Sequence, residues 1–165
     1  MLNPKTFTVA LNVKAIISDI KMKAYLIAQK YPDSEQKTEI EDIGTSNIDM
    51  LYRFIQRATT TLIEGLYFAT RSIADDGTSK DNSLSRTDSI GIVLVLPFDF
   101  SSTSLNAVIE YCHDYFVSTG LFEFLFISDE KEAEKWNQKA MDDLEKIKEY
   151  ASEKVLPFRR QSSVF

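Results

Sequence analysis

Apolar positions along the chain recur mainly at helical spacing, interrupted by two long polar stretches and one run without polar breaks. From Phe7 to Tyr31, the residues Val9, Val13, Ile16, Ile17, Ile20, Ala24 and Ile27 follow one another at three- and four-residue steps. That spacing predicts a first helix with one buried face. Tyr31 to Asn47 breaks the pattern with Pro32, a run of charges and Gly44, and reads as an acidic, solvated linker. Ser46 or Asn47 can cap a second helix, whose stripe Ile48, Leu51, Ile55, Ala58, Leu62, Leu66 and Ala69 suits packing against another helix. Thr59 to Thr61 and Gly65 lower its intrinsic helicity, so tertiary contacts are expected to hold it.

Ala74 to Ser89 is rich in Asp, Ser, Asn and Gly and has almost nothing to bury; it reads as a long loop or an arm that orders on contact. Ile90, Ile92, Val93, Leu94 and Val95 then make the one strongly β-prone run, which Pro97 ends. A lone strand leaves backbone groups unpaired. Its partner is expected near Ser83 to Thr87 or from a neighbouring chain, because no cleanly alternating second strand stands out.

Ser101 and Ser102 can cap a third helix with Leu105, Val108, Ile109, Cys112 and Phe116 inward. Gly120 is a candidate end, but continuation to about Ile127 is the expectation. Asp129 with Glu132 three residues on resembles a capping box. It opens a last helix with the stripe Ala133, Trp136, Ala140, Leu144, Ile147 and Ala151, and with outer pairs such as Asp142 to Lys146. A short turn between these two helices predicts an antiparallel hairpin. The fold class expected is mainly α: a bundle of about four helices with a small β element, an extended loop and a C-terminal arm. Residues 1–155 form one helical domain in this reading and 156–165 a tail.

At 165 residues and 44% hydrophobic, the chain can build one core. A net charge of −6 gives no broad positive field, which argues against specific nucleic-acid binding and against an anionic membrane as main partners. The apolar runs Ile90–Leu96 and Leu121–Ile127 are too short to cross a bilayer, and no export signal is visible at the start. Cys112 is the single cysteine, so no internal disulfide exists, a reducing compartment is expected, and the thiol reads as a small buried apolar group.

The residues offer little chemistry. His113 is the sole histidine, and although Cys112 adjoins it, neighbours on a helix point about 100° apart. Asp75–Asp76 and Asp142–Asp143 lack the ligand spacing of a cation site, and there is no phosphate loop, nucleotide fingerprint or GxSxG motif. The expectation is a protein that is not an enzyme, with no cofactor and no metal. "LPFRRQSSVF", Leu156 to Phe165, differs in character from the acidic helix before it: Pro157 stops a helix, and Phe158, Arg159, Arg160 and Phe165 are residue types that serve as interface anchors.

The order of the β-prone run, "LPFDFSSTSLNAVIEYCHDYFVSTGLFEFLFIS", "DEKEAEKWNQKAMDDLEKIKEYASEKV" and a Pro/Arg end resembles a group of small structural proteins of tailed bacteriophages and of prophages of gut bacteria, including crAss-like phages. "ADDGTSKDN" looks like the Gly-Thr-Ser loop of that group. The resemblance covers about Ile73 to Arg160. This chain departs from the pattern in carrying Phe124 and Phe126 where the group has a Trp, and Pro157 alone before the arginines. The resemblance implies a helical head–tail connector or neck ring subunit, without an active site. It would assemble with copies of itself and with portal and tail proteins, in the virion and, before that, in the bacterial host cytoplasm. The alternative from the residues themselves is a cytosolic helical protein-binding module with a regulatory role.

Overall fold

In the computed structural model, residues 4–32, 35–43, 47–70, 83–84, 86–97 and 99–152 are described. The elements run β1 (Lys5–Asn12), α1 (Val13–Ala28), α2 (Glu35–Glu41), α3 (Ile48–Gly65), α4 (Tyr67–Thr70), β2 (Ser89–Leu96), α5 (Ser102–Ser128) and α6 (Glu130–Ala151). The architecture is mainly helical, with four long helices, two short ones and a two-stranded sheet among the described residues. Most of the expected loop from Ala74 to Ser89, and the tail with Pro157, Phe158, Arg159, Arg160 and Phe165, lie outside the described residues.

The first correction concerns the start of the chain. Lys5–Asn12 is a strand, and the helix begins at Val13. Val9 and Val13 are four residues apart, a step that satisfies both a period of two and a period of 3.6. The full stretch Thr6-Phe7-Thr8-Val9-Ala10-Leu11 alternates strictly, and Val9 and Leu11 are buried while Thr8 and Ala10 are exposed. This strand is the partner that β2 required. The two pair antiparallel from Lys5↔Leu96 to Asn12↔Ser89, so the partner lies within the chain and not near Ser83–Thr87. Phe7, Val9 and Leu11 stand opposite Leu94, Ile92 and Ile90, and this face turns to the core. Asn12 ends the strand and caps α1, its Oδ1 accepting from the Ala15 amide at 3.1 Å. The Val13 amide donates to the Asp88 carbonyl at 3.0 Å, closing the corner.

The second correction is the acidic linker. Glu35–Glu41 is helical, and Ile40 and Ile43 are buried at 0% and 2% exposure. Burying two isoleucines stabilises the segment by about 3–6 kcal/mol against staying exposed, while Glu35, Glu39, Glu41 and Asp42 remain on the exposed side and keep their solvation. Side chains fasten it at both ends: Gln29 donates to Glu41 Oε1 at 2.9 Å, and Gln36 donates to the Ser128 carbonyl at 2.6 Å.

The other helices follow the pattern. α3 buries Leu51, Phe54, Ile55, Ala58 and Leu62. Its three threonines return their hydroxyls to the carbonyls of Ile55, Gln56 and Arg57, so their polar groups are satisfied without leaving the helix. α5 runs for 27 residues through Gly120. Around Tyr115, Phe116, Val117 and Ser118 four successive positions are buried, so this helix is enclosed on several sides by the others. Gly120 has a packing role instead of a terminating one: a Cβ there would fall 2.5 Å from Ile20 Cδ1, so the bare backbone lets α1 approach. α6 lies antiparallel to α5, with Tyr111 stacked on Tyr150 at 5.6 Å between ring centres and Ser118 donating to Asp143 at 3.2 Å.

Candidate protein-binding surface at the end of the bundle

The residues with chemical potential are engaged in structure. Cys112 is 1% exposed, and burial pushes its thiol up to about 12. His113 Nε2 lies 2.8 Å from Asp19 Oδ2 and ties α5 to α1. Asp143 is buried and takes Lys139 at 2.9 Å and the Ser118 hydroxyl, while Asp142 accepts from Gln138 at 2.9 Å and Lys146 pairs with Glu149 at 2.8 Å. Asp75 and Asp76 lie outside the described residues. Among the described residues no three of His, Cys, Asp and Glu converge to hold a metal ion, and no helix there is long and apolar enough to cross a membrane.

The turn between α5 and α6 is braced by several side chains. Asp129 caps α6, its Oδ1 accepting from the Glu132 amide at 3.0 Å, and the Tyr31 hydroxyl donates to its Oδ2. Glu132 does not complete the capping box. Its carboxylate takes Lys135 at 2.6 Å and Lys30 at 3.5 Å. Burial, reinforced by the neighbouring Asp129 carboxylate, pushes the Tyr31 phenol up to about 12. The Tyr31 hydrogen bond holds Asp129 below the ordinary carboxylate range, and the Lys135 hydrogen bond does the same for Glu132. Tyr31 belongs to the chain leaving α1, so this network joins α1, α5 and α6 at one end.

Beside that braced end opens a recess of about 410 Å³. Phe124 of α5, buried, and Met50 of α3, half-buried, form its apolar floor. Ile127 stands at its edge with 84% of its surface exposed, next to Phe126 at 56%. Glu39 and Asp42 supply exposed carboxylates, and Asn47 and Ser128 complete the lining. The α2 segment carries Glu35, Glu39, Glu41 and Asp42 against one lysine, Lys37, so the rim is acidic. This arrangement suits an apolar side chain with a cation beside it.

A second recess, of about 320 Å³, lies between α3, α5 and α6. Ala58, Tyr115, Phe122, Ala140, Met141 and Leu144 supply apolar surface, and the Arg57–Glu123 ion pair at 2.8 Å sits at its margin. A third, about 260 Å³, adjoins Thr87 and Ser89 at the start of β2.

Sequence reasoning assigned interface roles to Pro157, Phe158, Arg159, Arg160 and Phe165, on which the described residues carry no geometry. It missed the recess. Glu39 and Asp42 were read as solvated linker, and Phe124 and Ile127 as ordinary helix. One signal was present: "LFEFLFI" holds more apolar residues than one helix face can bury. Comparison of the chain with protein-family models, with curated proteins and with solved structures returned no match.

Proposed function

We propose that this chain is an assembly subunit whose work is to bind other protein chains, and specifically a head–tail connector or neck ring component of a tailed phage virion that meets copies of itself and the portal and tail proteins. The observation that carries the binding role is Ile127. It is a large apolar side chain held exposed at a braced end of the bundle, at the edge of an apolar-floored recess, and its chain neighbour Phe126 is exposed as well. Exposed apolar surface at a well-fixed site favours burial by a partner. The virion setting is supported by the resemblance of Ile73 to Arg160 to small phage structural proteins.

The test is the mass of the full-length chain by light scattering over a concentration series, beside a chain with Leu156–Phe165 removed. A discrete oligomer that falls to monomer on removal is expected. Equal monomer masses at all concentrations would count against self-assembly. The virion setting predicts the chain in purified particles of a phage that encodes it, as read by mass spectrometry; its absence from particles would remove that setting. A second reading, a binding module for a single protein partner, is favoured by the apolar recess between α3, α5 and α6, which has the volume to take one or two side chains of an extended peptide.

A further inference from the structure

The two-stranded sheet turns a ladder of backbone groups outward. The Val13 amide donates to the Asp88 carbonyl, so these two residues form a closely bonded pair of the antiparallel register, and such pairs recur at every second step. In that register Ile90, Ile92, Leu94 and Leu96 direct their N–H and C=O groups at β1. Ser89, Gly91, Val93 and Val95 direct theirs away from it. The sheet ends at β2 on that side, and among the described residues none of these four outward pairs of groups has a hydrogen-bond partner.

β1 has an outer edge as well, at Thr6, Thr8, Ala10 and Asn12, but the two edges differ in chemistry. Edge strands are ordinarily shielded by a charge, a proline, a bulge or a covering element. β1 carries Lys5 and the polar side chains of Thr6, Thr8 and Asn12. β2, "SIGIVLVL", has neither charge nor proline over its 8 residues, and its register with β1 runs without a bulge. Gly91 is exposed, Val93 and Val95 are half-buried, and a Cβ at Gly91 would meet Thr8 Cγ2 at 3.7 Å, an ordinary contact. α4 packs on β2, and its Tyr67 and Phe68 are exposed. Large apolar side chains thus accompany a bare, uncharged strand edge.

We infer that the outer edge of β2 takes an extended segment of a different protein chain as a third strand. The ladder at Ser89, Gly91, Val93 and Val95 selects extended backbone, because a strand repeats its N–H and C=O groups at the matching spacing. The uncharged edge selects an uncharged segment, and the exposed Tyr67 and Phe68 favour apolar residues at alternate positions, on the side toward α4. Spacing selects a segment over a folded copy of this chain. Paired strands lie about 4.8 Å apart, whereas packed helices need about 8–10 Å. Two copies joined through β2 would bring the α4 helices that pack on those strands closer than helices allow, and a lone segment brings no helix with it. This surface is separate from the recess at Met50 and Phe124 and goes beyond the assembly reading.

The test uses isotope-labelled full-length chain and a fluorescein-labelled peptide of about ten residues in which Thr and Val alternate between terminal lysines. In the chain alone, amide exchange should be fast at Gly91, Val93 and Val95 and slow at Ile92 and Leu94. The peptide should raise anisotropy saturably and slow exchange at the first three by about 10-fold or more. Gly91→Pro removes an outward N–H and leaves the ladder to β1 whole, so it should weaken binding about 10-fold, while Gly91→Ala should not. Circular dichroism checks that both variants are folded, and the exchange pattern of the wild type stands on its own if the proline variant is not. Equal protection of Gly91 and Ile92 in the chain alone overturns the assignment. So does absence of saturable binding to the wild type, or equal binding by a folded proline variant. A mass that rises with concentration in the wild type and not in Gly91→Pro would make the occupant a second copy and overturns it too; a mass that rises equally in both leaves self-assembly to other surfaces and agrees with a foreign strand here.

Discussion

Replacing Gly120 with alanine measures how closely α5 lies on α1. The added Cβ falls 2.5 Å from Ile20 Cδ1 and 3.3 Å from Ile20 Cγ1, and Ile20 is 0% exposed, so its side chain has little room to turn away. Alanine gains about 1 kcal/mol over glycine in helix propensity. Overpacking a close-packed core costs about 1–3 kcal/mol. The second effect wins, and Gly120→Ala should lose about 1 kcal/mol net. Ile20→Val removes the clashing δ-methyl and alone should cost about 1 kcal/mol. Independent sites would sum to about 2 kcal/mol. Here the alanine methyl fills the space the isoleucine vacates while the propensity gain persists, so the double variant should stand within about 0.5 kcal/mol of wild type. Urea unfolding of the four proteins, followed by circular dichroism, gives the coupling energy. Additivity to within about 0.5 kcal/mol would refute the close approach. Gly65→Ala is the control. Its Cβ would meet Leu144 Cδ1 at 3.2 Å, but Leu144 is half-buried and its tip can shift, so that substitution should be neutral or slightly stabilising.

Two further outcomes follow from the groups with displaced titration. Asp129 is held below its ordinary range by the Tyr31 hydrogen bond, so its contribution is present above the unfolded carboxylate value, near 4, and is lost as pH falls through the folded value. Asp129→Ala should cost about 1 kcal/mol at pH 7 as a lost helix cap, and its urea midpoint should move closer to wild type toward pH 2–3; a gap that stays constant across that range would contradict a contribution specific to the ionised carboxylate. Cys112, raised to about 12 by burial, should resist a thiol reagent such as DTNB at pH 8 in the native protein and react at the rate of unfolding in urea. Rapid labelling without denaturant would show the thiol to be accessible.

The sequence made the long helices legible because each repeats its period several times. α3 and α6 present their apolar stripes over 18 and 22 residues, long enough for the 3.6 period to separate from any other. β1 was misread because the strand runs straight into α1, and the four-residue step from Val9 to Val13 fits both periods. The alternation of Phe7, Val9 and Leu11 with Thr8 and Ala10 held the answer, and the antiparallel register confirms it. α2 was missed for a different reason. Seven residues complete only two turns, so Ile40 offers no repeat to recognise, and charge dominates the segment. Its place depends on Gln36 reaching Ser128, 92 residues away in sequence, and a local pattern does not report a contact of that kind.

The same limit governed the candidate site. Tail residues such as Phe158 and Arg159 announce themselves by type, whereas the recess is a juxtaposition of Glu39, Met50 and Phe124 from three separate elements.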